Sequence, residues 1–217
     1  MSKKAYIVNI IVNSVVVALM IVAILMMFFG TPGVLASTRW SAFKYFTIQS
    51  NCFAGLAALA SLIYILVKKG KDYPGWLSVI KLTSTVSVAI TFFVVIIYLG
   101  PIYSYPLLFQ NANLFLHGII PVLAMLAYMI TEPKVKLKFV MNLYSFLPVL
   151  VYGIIYLVNV AVHNDYGNYK GWDWYLFGYY GLGIGFCFLI GLLIISFGLS
   201  VGFYFIQQKT TIKALHE

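Results

Sequence analysis

The sequence predicts an all-α integral membrane protein, a bundle of six transmembrane helices with both termini in the cytoplasm. Three observations predict this class: a hydrophobic composition, apolar runs of transmembrane length, and lysines that gather on alternate loops. Hydrophobic residues make up 63% of the chain and charged residues 9%, whereas a soluble domain is roughly 45–50% apolar and about 25% charged. A crossing takes roughly 20 helical residues. Six spans therefore use almost all 217 residues, which excludes an appended soluble catalytic domain.

Apolar runs bounded by charges and by Gly/Pro clusters predict the spans in order. The first run follows Ser2-Lys3-Lys4 and is far longer than the roughly 7–15 apolar residues of a signal peptide, so we expect it to be retained as a helix. We find no internal repeat, low-complexity segment or domain boundary, and residues 1–217 are expected to form one domain. The predicted helices lie at about residues 6–29, 43–67, 76–99, 113–131, 139–162 and 174–206.

The distribution of basic residues predicts the orientation. Of the fourteen Lys and Arg residues, ten fall in the terminal segments and the two loops assigned to the cytoplasm, and only Arg39, Lys44 and Lys170 fall on the other side. The positive-inside rule then places both termini in the cytoplasm. The net charge of +9 fits attraction to anionic lipids rather than to nucleic acid, since the lysines flank apolar runs. We expect a multi-pass membrane protein, with membrane lipids as partners. The sequence does not predict its oligomeric state.

Charged groups are scarce inside the predicted spans. All five acids fall in loops, at helix ends or in the tail, whereas proton-coupled carriers usually place carboxylates near the middle of the membrane. This pattern argues against proton-coupled transport. The fourteenth basic residue, Lys81, lies just inside the third span, and we expect its long side chain to extend to the headgroups.

A polar strip opens the second span. The segment 45–52, YFTIQSNC, has an unusual density of hydrogen-bonding groups for a membrane helix. At 100° per residue, Thr47, Ser50 and Asn51 share one face, whereas Gln49 points away from it. We therefore expect this strip to face the interior of the bundle.

His117 is the only histidine well inside a predicted span, and Asn113 precedes it by four residues. Thr47 and His117 each lie about four residues from the outer end of a span, at a depth of roughly 6 Å. A hydroxyl and an imidazole at one depth are the minimum pair for acyl transfer, because the ring can remove the hydroxyl proton and return it to the leaving group. The structural alternatives are a threonine bonded to its own i−4 carbonyl and a histidine that bonds a neighbouring helix.

Two motifs resemble those of a known family. The segments FKYFTIQSN at 43–51 and NLFLHGIIP at 113–121 resemble the androgen-induced and androgen-dependent family of membrane threonine hydrolases and its bacterial six-helix relatives. The resemblance implies that Thr47 is a nucleophile and His117 a base that together hydrolyse lipid esters, including fatty acid esters of hydroxy fatty acids. The bacterial relatives imply a location in a bacterial plasma membrane, and no cofactor is implied.

Other parts of such a site follow from helical facing alone. Ser50, Asn51 and Asn113 are candidates for binding substrate or the developing oxyanion. No predicted span carries an acid to orient His117, but Asp165, Asp173 or an asparagine could do so from the outer rim. His163, Asp165 and Asp173 match no metal-ligand spacing, so no metal is expected.

Three functions remain open at this point. The first is an intramembrane lipid ester hydrolase with Thr47 as nucleophile, His117 as base and substrate entry from the outer leaflet. The second is a lipid acyltransferase that uses the same pair. The third is a non-catalytic lipid or small-molecule binding protein or carrier.

Overall fold

The computed structural model describes residues 3–30, 39–71, 73–133, 135–167 and 170–215. Six of its helices are long and apolar enough to cross a membrane, and the protein is a multi-pass all-α membrane protein, as the composition predicts. The helices are α1 (Lys3–Phe29), α2 (Phe46–Lys68), α3 (Gly75–Tyr103), α4 (Ala112–Ile130), α5 (Phe139–Val162) and α6 (Leu182–Leu215).

Three helices contain a stretch that is not α-helical. Val94–Leu99 of α3 and Phe115–Ile119 of α4 are π-helical, and α5 begins with a 3₁₀ segment, Phe139–Phe146. A π-helical turn accommodates an extra residue and often lies at a functional site, because it changes the direction in which the following side chains point. The sequence periodicity did not predict either π-helical segment.

Helix α3 lies at the centre of the bundle, where it packs against α2, α4, α5 and α6. Its middle turns carry Leu82, Val86 and Ala89, which pack against Tyr128 of α4 and Phe203 of α6. Helix α1 packs against α2 and α4. The outward faces of the peripheral helices expose large apolar side chains, as expected for surfaces that contact lipid tails rather than water.

The predicted spans agree with the helices except at the two ends of the sixth, which was predicted to end at residue 206 but continues to Leu215. That span was predicted to begin at residue 174, but α6 begins at Leu182, because the preceding residues form turns. Leu176 and Gly181 have the positive φ angles of 59° and 105°, which a helix cannot contain. Lys134, one of the ten lysines assigned to the cytoplasm, lies outside the described residues, and the membrane orientation remains a prediction.

Lys81 does not extend to the headgroups as predicted. Its side chain is only 4% exposed, its Nζ donates to Oδ1 of Asn13 at 2.8 Å, and it lies 3.7 Å from Oε2 of Glu132. Glu132 follows α4, is 1% exposed, and accepts a hydrogen bond from the Tyr73 hydroxyl. A buried ammonium requires an opposite charge and hydrogen bonds to offset its desolvation. The prediction for Lys81 was wrong because the sequence placed Glu132 at a helix end or in a loop and did not indicate that it is buried beside Lys81.

Candidate functional site

A cavity of about 140 Å³ lies between the first turns of α2 and α4 and the segment that precedes α6. Thr47, Asn113 and His117 all line it, so the structure brings the predicted nucleophile, base and one predicted polar partner to one space. We call it the polar cavity. Its other lining residues are mostly aromatic or aliphatic: Ala42, Tyr45, Ile48, Leu99, Tyr103, Leu108, Trp174 and Tyr175.

Thr47 lies in the first turn of α2, after the 3₁₀ helix Arg39–Lys44 and the extended residue Tyr45. The predicted inward face is confirmed, because Thr47, Ser50 and Asn51 are buried, whereas Gln49 is exposed. The two residues are not equally far from the starts of their helices, because Thr47 is the second residue of α2 and His117 is the sixth of α4. Their equal depth in the membrane remains a prediction.

The Thr47 side chain lies close to the hydroxyl of Tyr175, and both residues line the polar cavity. The Tyr175 oxygen accepts a hydrogen bond of 2.9 Å from the backbone N–H of Phe46 at the start of α2. Burial raises the pKa of Tyr175 to about 12, although the neighbouring Thr47 hydroxyl and N–H groups oppose this. Tyr175 is therefore a neutral phenol at physiological pH. The sequence did not identify Tyr175 as a site residue, because its segment was predicted to be part of the sixth helix.

The imidazole of His117 is held by a backbone carbonyl. His117 lies in the π-helical segment of α4, and its Nδ1 is 2.6 Å from the carbonyl oxygen of Leu108. A carbonyl oxygen only accepts hydrogen bonds, so Nδ1 carries the proton and Nε2 is the basic nitrogen of the neutral ring. The ring of Phe109 packs edge-on against the imidazole at 6.3 Å. In this tautomer Nε2 can accept a proton, as a general base must.

The acids proposed to orient His117 do not do so. Both oxygens of Asp165 accept backbone N–H bonds, from Lys170 at 2.9 Å and from Trp172 at 2.8 Å. Desolvation opposes ionisation of Asp165, but these donors outweigh it and lower its pKa. Asp173 accepts from the Tyr156 hydroxyl, and burial raises its pKa. The two carboxylates organise the loop before α6, and the Leu108 carbonyl takes the orienting position instead.

The three predicted polar partners differ in their contacts. Asn113 lines the polar cavity. Ser50 donates to the Thr47 carbonyl at 3.1 Å and also contacts the hydroxyl of Thr91 on α3 at 2.8 Å. Asn51 donates from Nδ2 to the carbonyls of Thr47 at 2.7 Å and Leu116 at 2.9 Å. Asn51 therefore joins the residue before His117 to the Thr47 backbone, which sets the spacing of α2 and α4 at the site.

The histidine and acids of the loop between α5 and α6 form no metal centre in the part of the chain that the structure describes. His163 stacks on Trp172 with ring centroids 3.6 Å apart, and its Nδ1 bonds the Asn159 carbonyl at 2.8 Å. These contacts give His163 a packing role at the end of α5.

Fold and cavity together define a multi-pass membrane protein with a hydroxyl and an oriented imidazole enclosed near one end of the bundle. Comparisons of the chain with protein-family models, with curated proteins and with solved structures give no match. No family is therefore identified by these comparisons, and the function is argued from the site.

Proposed function

We propose that the protein is an intramembrane lipid ester hydrolase with Thr47 as nucleophile and His117 as general base. The observation that carries this proposal is that both side chains line the polar cavity while a carbonyl holds the proton of His117 on Nδ1. The motifs around these residues, which resemble those of membrane threonine hydrolases, support it. Acylated lipids, such as fatty acid esters of hydroxy fatty acids, are the substrate class that we propose.

The acylation step uses the two residues in turn. Nε2 of His117 takes the Thr47 hydroxyl proton while Oγ forms a bond to the ester carbonyl carbon. The resulting oxyanion needs a hydrogen-bond donor, and we assign this role to the amide of Asn113, which lines the same cavity. The bond from carbon to the alcohol oxygen then breaks, and His117 returns the proton to the departing alkoxide.

Deacylation follows the same route in reverse. Water enters in place of the alcohol, His117 takes one of its protons, and the hydroxide oxygen bonds the acyl carbon of the threonine ester. The bond to Thr47 Oγ breaks, the fatty acid leaves, and Oγ regains the proton from His117. A lipid alcohol in place of water would make the same pair an acyltransferase.

Labelling with a fluorophosphonate or activated-ester probe tests the nucleophile. We expect the purified wild type to be labelled, Thr47→Ala to be unlabelled, and Thr47→Ser to retain labelling because it keeps the hydroxyl. Thr83→Ala is the matched control, since Thr83 is also 8% exposed but lies on α3 away from the cavity. Equal labelling of wild type and Thr47→Ala would exclude Thr47.

Product analysis separates the rival functions. With a lipid ester in mixed micelles, a hydrolase releases the free acid whether or not a lipid alcohol is added, whereas an acyltransferase forms product only with the alcohol. If the wild type binds the ester in a Thr47-dependent manner but neither labels nor turns over, a non-catalytic binding protein or carrier is the better assignment.

A further inference from the structure

An apolar space other than the polar cavity lies on the lipid-facing side of the bundle, between α3 and α6. It is an open groove of about 710 Å³, which we call the lateral groove. On α6 its lining residues recur every three or four positions from Ile184 to Leu199, a length of about 22 Å at 1.5 Å per residue. On α3 it is lined by residues between Ile90 and Tyr98, including part of the π-helical segment.

An inner apolar pocket of about 50 Å³ lies between this groove and the polar cavity, as the residues that it shares with each of them show. It shares Ile90, Val94, Phe177 and Leu192 with the lateral groove. It also has Thr47, Leu99 and Tyr175 in common with the polar cavity. The three spaces thus adjoin one another in sequence, from the lipid-facing surface to the Thr47 hydroxyl.

We infer that the lateral groove holds the acyl chain of the ester, with the chain passing the inner pocket so that its carbonyl reaches Thr47. This inference rests on the proposed function and assigns where its substrate binds. The described residues that line the groove include no charged side chain, so it cannot recognise an anionic headgroup. The Tyr98 hydroxyl is directed to the Leu176 carbonyl at 3.4 Å, so Tyr98 presents mainly its ring to the groove.

The position of Gly191 allows the groove to be blocked without disturbing helix packing. A Cβ built on Gly191 meets no atom within 4 Å, and Gly191 lines the groove. A large side chain there would therefore occupy the space proposed for the acyl chain. Gly198, also on α6, likewise has no atom within 4 Å of a built Cβ but does not line the groove. Gly191→Phe and Gly198→Phe are thus a matched pair.

Hydrolysis of a short and a long ester tests the inference. We expect Gly191→Phe to lower kcat/KM for a palmitoyl ester by about tenfold or more, because a displaced chain misplaces the carbonyl. The same variant should hydrolyse an acetyl ester within about twofold of wild type, since an acetyl group needs only the polar cavity, and Gly198→Phe should resemble wild type with both. An unchanged palmitoyl rate in Gly191→Phe would overturn the inference while leaving the hydrolase intact. If the wild type hydrolyses neither ester, the proposed function itself would be overturned.

Cys187 supplies a measurement that does not depend on turnover. Its side chain is exposed and lines the groove. In a Thr47→Ala, Cys52→Ala background, we expect the palmitoyl ester to slow maleimide labelling of Cys187 by about tenfold, as one bound chain would cover it. The acetyl ester should have no effect. If the palmitoyl ester also leaves labelling unchanged, its acyl chain does not bind in the groove and the inference is wrong.

Discussion

Nδ1 of His117 lies 2.6 Å from the carbonyl oxygen of Leu108, so a main-chain group holds the imidazole where many hydrolases use a carboxylate. Leu108 ends the short helical turn Tyr105–Leu108, which leads into α4. The position of this turn therefore determines the orientation of the ring, and no side-chain substitution of Leu108 removes the acceptor.

His117→Ala is expected to abolish ester hydrolysis, because Thr47 then loses the group that takes its proton. Imidazole added to the assay should restore part of the rate, since the deleted ring leaves room for it in the polar cavity. The measurement is kcat as a function of imidazole concentration, with His163→Ala as the control because His163 packs on Trp172 in the loop between α5 and α6. Full activity of His117→Ala without imidazole would exclude His117 as the base.

Gly100→Ala tests whether the turn before α4 positions the imidazole. A Cβ at Gly100 would lie 2.1 Å from the Tyr105 ring, and the Tyr105 hydroxyl donates to the Ile96 carbonyl at 2.8 Å. Displacing Tyr105 moves the turn that ends with the Leu108 carbonyl. We expect kcat to fall by about tenfold or more through misplacement of His117, with KM changed much less.

Two further variants make this result interpretable. In Gly183→Ala the added methyl meets no atom within 4 Å, so activity and melting temperature should match wild type. Adding Tyr105→Val to Gly100→Ala removes the clash and should restore kcat. A wild-type melting temperature for Gly100→Ala itself would show that its loss of kcat is not caused by unfolding. Wild-type kcat in folded Gly100→Ala would disprove the positioning role.

The sequence predicted the bundle well because the membrane imposes simple rules on length and polarity. Each span had to be a long apolar run, and the inward face of α2 followed from placing Thr47, Ser50 and Asn51 at helical spacing. The start of α6 was predicted too early because the aromatic residues Trp174, Tyr175 and Phe177 lie next to its apolar run and were counted as part of it. The positive φ angle of Leu176 prevents a continuous helix through this segment. Composition does not predict that angle.

The candidate site was only partly predictable for a related reason. Thr47, Asn113 and His117 could be selected as polar groups inside spans, since polarity is expensive there. The acceptor on Leu108 is a backbone carbonyl, which every residue has, and Tyr175 reaches the start of α2 from 129 positions away in the chain. Neither contact has a sequence signature. The π-helical segment around His117 likewise depends on packing rather than on local pattern.

The ion pair of Lys81 and Glu132 makes a separate prediction about stability. Lys81→Met leaves a buried carboxylate without its partner and should lower the free energy of unfolding by about 3–5 kcal/mol. The double variant Lys81→Met/Glu132→Gln should recover most of this, because it removes both charges. Thermal unfolding in one mild detergent measures the stability of the single and the double variant. Lys68→Met is the control, since Lys68 is exposed and its loss should cost no more than about 0.5 kcal/mol. Wild-type stability of Lys81→Met would show that the pair contributes nothing.

The membrane orientation is the last prediction, and it decides which leaflet supplies substrate to the polar cavity. Ten of the thirteen Lys and Arg residues outside the third span lie on the side that carries both termini, so that side should be cytoplasmic. In a background with Cys52→Ala and Cys187→Ala, Lys170→Cys should react with a membrane-impermeant maleimide on intact cells. Lys71→Cys and Lys136→Cys should react only after lysis, which also serves as the control that each cysteine is accessible. Labelling of Lys71→Cys or Lys136→Cys on intact cells, with Lys170→Cys protected, would reverse the orientation. Thr47 and His117 would then face the inner leaflet, and the ester would have to come from the cytoplasmic side.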